Sequence, residues 1–270
     1  MEKNLGSLQN VFKSLHNPRY AKSVFQKIID RCTDVRSSVS QEYEQWLANS
    51  ALRADEYMRL IDPEIWLEAE DHHVRMQTDA ELAMQAIGVS LGGAGDTRLL
   101  YWLIRKLRPT YILETGVAAG FSSHSILSAI EVNGTGDLFS SDLPYVRLDN
   151  PEQYIGLIVP AVLRSKWHLY IDGDLTNLPK ILASVPEINF FHYDSDKRYA
   201  GRQRACSLIL PKLADNGVIV MDDIGDNEYF RNLTAICADR PFWVFQFENK
   251  YIGMLGKKGG SNTLQDLVNF

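Results

Sequence analysis

Cysteine is scarce in this chain: three in 270 residues, Cys32, Cys206 and Cys237, far apart and without the close spacing of a thiolate metal site. That excludes a disulfide-stapled scaffold and fits separate thiols in a reducing compartment. Long hydrophobic runs are missing too, from the Met1-Glu-Lys-Asn4 start onward. Neither the apolar core of a signal peptide nor a membrane span can be read, so a cytoplasmic protein with no membrane partner is expected. Nor is there an excess of positive charge: 28 Lys and Arg stand against 34 Asp and Glu, a net charge of −6. Nucleic acid is therefore not expected as a partner. Glycine is almost absent from the first 70 residues, and there is no internal repeat or low-complexity tract. What is present, 45% hydrophobic and 23% charged residues, suits one globular domain with an appendage.

The appendage comes first. Leu8, Val11, Phe12 and Leu15 recur at helical spacing, as do Val24, Ile28 and Ile29, and then Tyr43, Trp46, Leu47 and Leu52. Pro18 and Pro63 mark breaks. The polar run Glu68-Ala-Glu-Asp-His-His73 reads as a surface crossing with exposed His72 and His73. Thr78-Asp79 opens a helix toward Leu91 that Gly92-Gly93 would end, and Gly95-Asp96-Thr97 opens another that stops before Pro109. Residues 1–91 are thus expected to form a helical extension, serving as a lid, an acceptor pocket or a homodimer contact.

From Tyr111 the pattern changes. Compact apolar runs at 111–115, 137–142, 168–172, 188–194 and 217–222 alternate with helical patterns near 121–132, 150–164, 176–184, 198–214 and 227–238. Such alternation implies a parallel sheet covered on both faces. Phe242 to Phe247 and Tyr251 to Leu255 lie close enough for an antiparallel hairpin. The expected fold class is α/β: a Rossmann-like, doubly wound, mostly parallel seven-stranded sheet with a C-terminal antiparallel hairpin over 92–257, and a tail at 258–270.

The most informative segment is Tyr111-Ile-Leu-Glu-Thr-Gly-Val-Ala-Ala-Gly-Phe-Ser-Ser123, a short strand, a turn bracketed by Gly116 and Gly120, and a helix start with Ser122 in its first turn. Glycine lets a ligand approach the backbone, so the loop reads as a nucleotide-type cofactor site. It is not a dinucleotide fingerprint, because Ala118 stands at the middle glycine. It is not a phosphate loop either, because no Lys follows Gly120. Glu114 enters the loop, and its carboxylate would repel a pyrophosphate but suit a cationic ligand.

Acids end the strands: Glu114, Asp142, Asp172 or Asp174, Asp194 and Asp196, Asp222 and Asp223. In an open α/β sheet, ligands sit beyond these carboxyl ends. Two runs that each end in two carboxylates would crowd like charges unless a cation neutralised them. A divalent ion with oxygen ligands, Mg²⁺ above all, answers that need.

Taken together, the Glu-Thr-Gly-Val-Ala-Ala-Gly loop, Asp142, Gly173-Asp174, His192-Tyr-Asp-Ser-Asp-Lys-Arg-Tyr199 and Gly217-Val-Ile-Val-Met-Asp-Asp-Ile224 resemble class I S-adenosylmethionine-dependent methyltransferases. Within them the chain resembles the metal-dependent small-molecule O-methyltransferases of the catechol/caffeoyl-CoA type and of the sugar-modifying, antibiotic-tailoring type, over roughly 92–255. The resemblance implies that Gly116, Ala118, Gly120 and Ser122 pass under the cofactor's methionine part, with Glu114 near its ammonium group. It implies Asp142 on the ribose, Gly173 and Asp174 near the adenine, and Asp194 at the junction of cofactor and metal. Asp194, Asp222 and Asp223 would hold Mg²⁺ or another divalent cation. Asp196 or Lys197 would be the proton acceptor.

The pair Asp222-Asp223 sides with the sugar-modifying enzymes, whereas Asp194-Ser-Asp-Lys197 sides with the catechol type. The expected activity is methyl transfer to the hydroxyl of a small molecule: a phenol, a sugar or a natural product. The alternatives are a metal-independent N- or C-methyltransferase and a non-catalytic cofactor-binding module.

Overall fold

The computed structural model describes residue 10 and residues 16–33, 39–87, 91, 95–261 and 263. The expected helices at Leu8–Leu15 and the Gly92-Gly93 stop lie outside the described residues. Helix α1 spans Ala21–Thr33 and α2 spans Gln41–Ser50, where Ser40 caps the N-terminus by accepting from Tyr43 N. Strand β1, Ala51–Arg53, is followed by α3, Ala54–Ile61, and by the 25-residue α4, Pro63–Ile87.

Helix α4 corrects the expected surface crossing at 68–73. No Gly or Pro interrupts that stretch, and Trp66, Ala69, His72, Met76 and Ala80 recur at intervals of three and four, all buried. One apolar stripe thus carries the helix straight through a run whose composition reads as polar. His72 is buried rather than exposed: its ring stacks on Tyr101 at 5.0 Å and meets the edge of His124 at 5.2 Å.

Beyond α4 the alternation holds. Helix α5, Thr97–Leu107, starts on an Asp96 cap and leads to β2, Tyr111–Thr115. Then follow α6, Phe121–Asn133; β3, Asp137–Ser141; β4, Trp167–Tyr170; α7, Asp174–Ser184; and β5, Ile188–Tyr193. Helix α8, Tyr199–Ile209, β6, Leu213–Met221, α9, Tyr229–Ile236, and the hairpin strands β7, Phe242–Phe247, and β8, Lys250–Leu255, complete the order. The helix expected near 150–164 is instead two short 3₁₀ turns, Pro151–Tyr154 and Ala161–Lys166. Pro151, Gly156 and Pro160 break any longer helix there.

The strands form one sheet in the order β1-β7-β8-β6-β5-β2-β3-β4. Only β8 runs antiparallel to its neighbours β6 and β7. The eighth strand, β1, is an addition to the seven expected; it pairs parallel to β7 and ties the N-terminal part into the sheet. Alternating residues feed two cores. Ile112, Phe190 and Val218 pack under α4, α5 and α6, while Leu113, Phe191 and Ile219 pack under α2, α7, α8 and α9. Strand order reverses between β2 and β5, so the carboxyl ends of β2, β3, β5 and β6 open on one edge. No described helix is long and apolar enough to cross a membrane.

Candidate active site

At the end of β2 the chain turns through Gly116, with φ of 85°, Ala118, with φ of 50°, and Gly120, with φ of 102°. A side chain at Gly116 would collide with the Asp194 carbonyl, and one at Gly120 would meet Gly156 Cα at 2.9 Å. Both glycines are therefore required by space as well as by backbone conformation. Asp142, at the end of β3, braces the turn: its Oδ2 accepts from Val117 N at 3.1 Å and Ala118 N at 2.8 Å. Its Oδ1 accepts from Leu143 N at 2.7 Å.

Two clefts flank this turn. The first, about 650 Å³, is lined by Asp142, Leu143, Gly173, Asp174, Ser195 and Asp196, with Ser23 and Gln26 of α1 across from them. Asp174 accepts from Ser141 Oγ at 2.6 Å and Ser195 Oγ at 2.7 Å. Asp196 forms an ion pair with Arg198 at 2.6 Å. Burial would raise the Asp196 carboxyl, but the hydrogen bonds and charge of Arg198 outweigh it and hold the group below its ordinary value.

The second cleft, about 490 Å³, runs between Gly95, Leu99 and Leu100 on one side and Gly116, Ser122, His192, Asp194 and Asp222 on the other. At its rim the acids meet. Asp194, Asp222 and Asp223 each offer a carboxylate oxygen, and the three oxygens lie within 4.8 Å of one another. They converge because β5 and β6 are parallel neighbours in register, Tyr193 opposite Met221, so their ends emerge side by side. Asp223 adopts the left-handed conformation, φ 50° and ψ 41°.

Lys197 Nζ pairs with Asp194 and, at 2.7 Å, with Asp223, and Lys250 Nζ reaches Asp223 at 3.1 Å. Burial would raise the Asp223 carboxyl; these ammoniums outweigh it and lower the pKa. A dication fits this site. The donors are three hard carboxylate oxygens with neither thiolate nor imidazole among them, and an ammonium already stands where positive charge is needed.

Of the sequence-expected residues, Asp194, Lys197, Asp222 and Asp223 come together, Gly116, Ala118 and Ser122 border them, and Asp142, Gly173, Asp174 and Asp196 line the first cleft. Glu114 stands behind both. It has no solvent exposure and accepts from Ser123 Oγ at 2.5 Å and Ser140 Oγ at 2.7 Å. Its Oε1 lies 3.7 Å from His192 Nδ1, and neither atom has a hydrogen-bond partner among the described residues. Burial would raise the Glu114 carboxyl, but the neighbouring imidazole and the serine hydroxyls lower it on balance. Sequence reasoning missed Asp96, Lys250 and Tyr43 as neighbours of the site: Asp96 reads as a helix cap, Lys250 as a turn residue, and no local signal marks Tyr43. Arg202 reads in the sequence as one of a basic run with Lys197, Arg198 and Arg204 that opens beside the acids, a solvated helix face or a contact for an anionic substrate, whereas the structure buries it.

Residues 113–224, which contain the turn, Asp142, Asp174 and all three converging acids, match the family model of a methyltransferase domain. The fold is one that solved methyltransferases share. An O-methyltransferase from Bacillus cereus, solved in complex with SAH, superposes with a TM-score of 0.52 at 15% identity, over 67% of this chain and 90% of that one. The O-methyltransferase TomG from Streptomyces achromogenes, involved in tomaymycin synthesis and solved with SAM, gives 0.53 at 16% identity, over 68% and 89%. A methyltransferase from Geobacter sulfurreducens gives 0.50 at 15% identity over 82% of this chain and 98% of that one. At these identities the likeness is one of fold. No curated protein matches the sequence.

Proposed function

We propose that this chain transfers the methyl group of S-adenosylmethionine to a hydroxyl of a small molecule, a phenol, sugar or natural product, with a divalent cation assisting. The observation that carries this reading is the convergence of Asp194, Asp222 and Asp223 within 4.8 Å of one another, two of them, Asp194 and Asp222, lining one cleft with the Gly116 turn. The first cleft takes the adenosine, with Asp142 and Asp174 as its polar groups. The second takes the methionine part and the acceptor, whose apolar body rests on Leu99 and Leu100. Asp194, which borders the cleft at the turn, orients cofactor and acceptor together; alignment of this kind supplies up to ~7–11 kcal/mol of the barrier in favourable cases.

Asp194, Asp222 and Asp223 are the residues that would hold Mg²⁺, which when bound lowers the pKa of a coordinated hydroxyl. Of the two candidate bases, Lys197 stands at the acid cluster and Asp196 is engaged by Arg198. We assign the acceptor's proton to Lys197 Nζ in its neutral form, the ammonium having first released its own proton to solvent.

A second reading, metal-independent transfer, is favoured by the same ion pairs: Lys197 and Lys250 already neutralise part of the acid cluster. Methyl transfer from labelled S-adenosylmethionine to a panel of catechols, hydroxycinnamates and sugars, with Mg²⁺ or EDTA, separates the two. Loss of turnover in EDTA with recovery in Mg²⁺ is the expected result. An unchanged rate in EDTA supports the second reading. Cofactor binding with no turnover on any acceptor supports a non-catalytic module.

A further inference from the structure

Beneath the acid pair lies a buried cation that neither the ligand set nor the acceptor chemistry uses. Arg202, on α8, has no solvent exposure. Its Nη2 donates to the carbonyl oxygens of Asp222 at 3.0 Å and Asp223 at 2.6 Å, while Nε and Nη1 have no partner among the described residues. Such a guanidinium is an expensive thing to bury, because nothing repays the desolvation of its other nitrogens; an apolar side chain of similar volume would serve the core as well or better. The one thing Arg202 does that an apolar residue would not is hold those two carbonyls.

A second donor continues the row. Tyr43, fully buried on α2, donates its hydroxyl to the carbonyl of Ile224 at 2.8 Å. Three successive carbonyls, of residues 222, 223 and 224, are thus gripped from behind by two side chains from different elements. The grip falls where Asp223 takes its left-handed backbone conformation, which a residue with a side chain keeps only when its surroundings enforce it. On the same turn, Asn227 Nδ2 donates to the carbonyl of Lys197 at 2.7 Å. Fixing the carbonyls on one side of the chain fixes the carboxylates on the other.

We infer that Arg202 and Tyr43 form a back-side clamp that positions Asp222 and Asp223 for the cation and acceptor, and that α2 belongs to the chain partly to supply the second jaw. The inference rests on the proposed reading of the acid cluster as a cation site. Neither residue touches the ligands, so both are positioning residues.

The test uses full-length protein, Mn²⁺ as the probe followed by electron paramagnetic resonance, calorimetry with S-adenosylhomocysteine, and amide hydrogen exchange over residues 222–227. Arg202→Met is expected to weaken Mn²⁺ binding by about 10–100-fold, the range for loss of a residue that orients a ligand. Arg202→Lys should restore part of it, S-adenosylhomocysteine affinity should stay within about twofold of wild type, and exchange over 222–227 should quicken. Should Arg202→Met fail to fold, Tyr43→Phe, which removes one oxygen, carries the same expectation in smaller measure.

Unchanged Mn²⁺ affinity and unchanged exchange in a folded variant would overturn the clamp. So would an equal loss of cofactor and Mn²⁺ binding, which marks a general structural role. Wild-type protein that binds S-adenosylhomocysteine but not Mn²⁺ would instead overturn the cation reading. In that case quickened exchange confined to 222–227 still supports a clamp on the acid pair, and unchanged exchange removes it.

Discussion

Ala118 sits at φ 50°, in a region that costs a residue with a Cβ roughly 1–2 kcal/mol. The strain is tolerated because both its backbone groups are held, the N–H by Asp142 and the carbonyl by Gly156 N at 2.9 Å. Ala118→Gly is therefore expected to leave stability unchanged or raise it by up to about 1 kcal/mol, since relief of strain opposes the added freedom of the unfolded chain. Urea unfolding checks this; a clear loss would show that the methyl packs usefully.

Asp142 gives the opposite expectation. In Asp142→Ala the N–H groups of Val117 and Ala118 lose their acceptor, each at about 1–3 kcal/mol if left dry. The turn should loosen, and S-adenosylhomocysteine affinity should fall by about tenfold or more for every ~1.4 kcal/mol lost from the bound conformation. Calorimetry that finds wild-type affinity would show that Asp142 neither braces the turn nor meets the ligand.

Among the elements, α4 makes a claim that pH can test. Burial, with the charges of His124, Arg75 and His73 adding to it, pushes His72 down to about 4. An imidazole in the unfolded chain takes up its proton near pH 6.5. Between those values the unfolded state binds more protons than the folded one, so stability is complete above about pH 6.5 and is lost as pH falls toward 4. The loss approaches about 3 kcal/mol from this residue. His72→Phe keeps a ring against Tyr101 and removes the proton, so its unfolding free energy should fall less than that of wild type between pH 7 and pH 4.5. Parallel profiles would contradict the assignment.

The same helix shows why part of the fold could not be read from sequence. Glu68 to His73 looks like a crossing because composition is read residue by residue. The burial stripe through Ala69, His72 and Met76 emerges only once α5 and α6 are packed against it. Strand β1 is harder still: Leu52 reads as a continuation of the helical spacing of Tyr43, Trp46 and Leu47, yet the helix ends at Ser50 and Ala51 to Arg53 form a strand whose pairing depends on β7 nearly two hundred residues away.

At the scale of the whole molecule, the alternation from Tyr111 onward made the sheet legible, because each parallel strand is a compact apolar run. The converging acids were legible for a related reason, since strand ends that carry paired carboxylates meet when the strands are neighbours in register. What pairs with those acids was not, as Lys250 arrives from the far hairpin and Arg202 from the next helix. The N-terminal part is also tied into the rest of the molecule at several places. Its α1 supplies Ser23 and Gln26 to the first cleft, its α2 supplies Tyr43 beneath the acids, and its β1 extends the sheet.

The claim on which the rest depends is that S-adenosylmethionine lies across the Gly116 turn, and titration calorimetry of wild type and Gly116→Ala with S-adenosylhomocysteine, with NAD⁺ as control, tests it most directly. Saturable single-site binding to wild type, no binding of NAD⁺, and affinity at least about tenfold weaker in folded Gly116→Ala are expected, because the added methyl meets the Asp194 carbonyl at the turn. No heat from S-adenosylhomocysteine, or equal affinity in the two proteins, would contradict it.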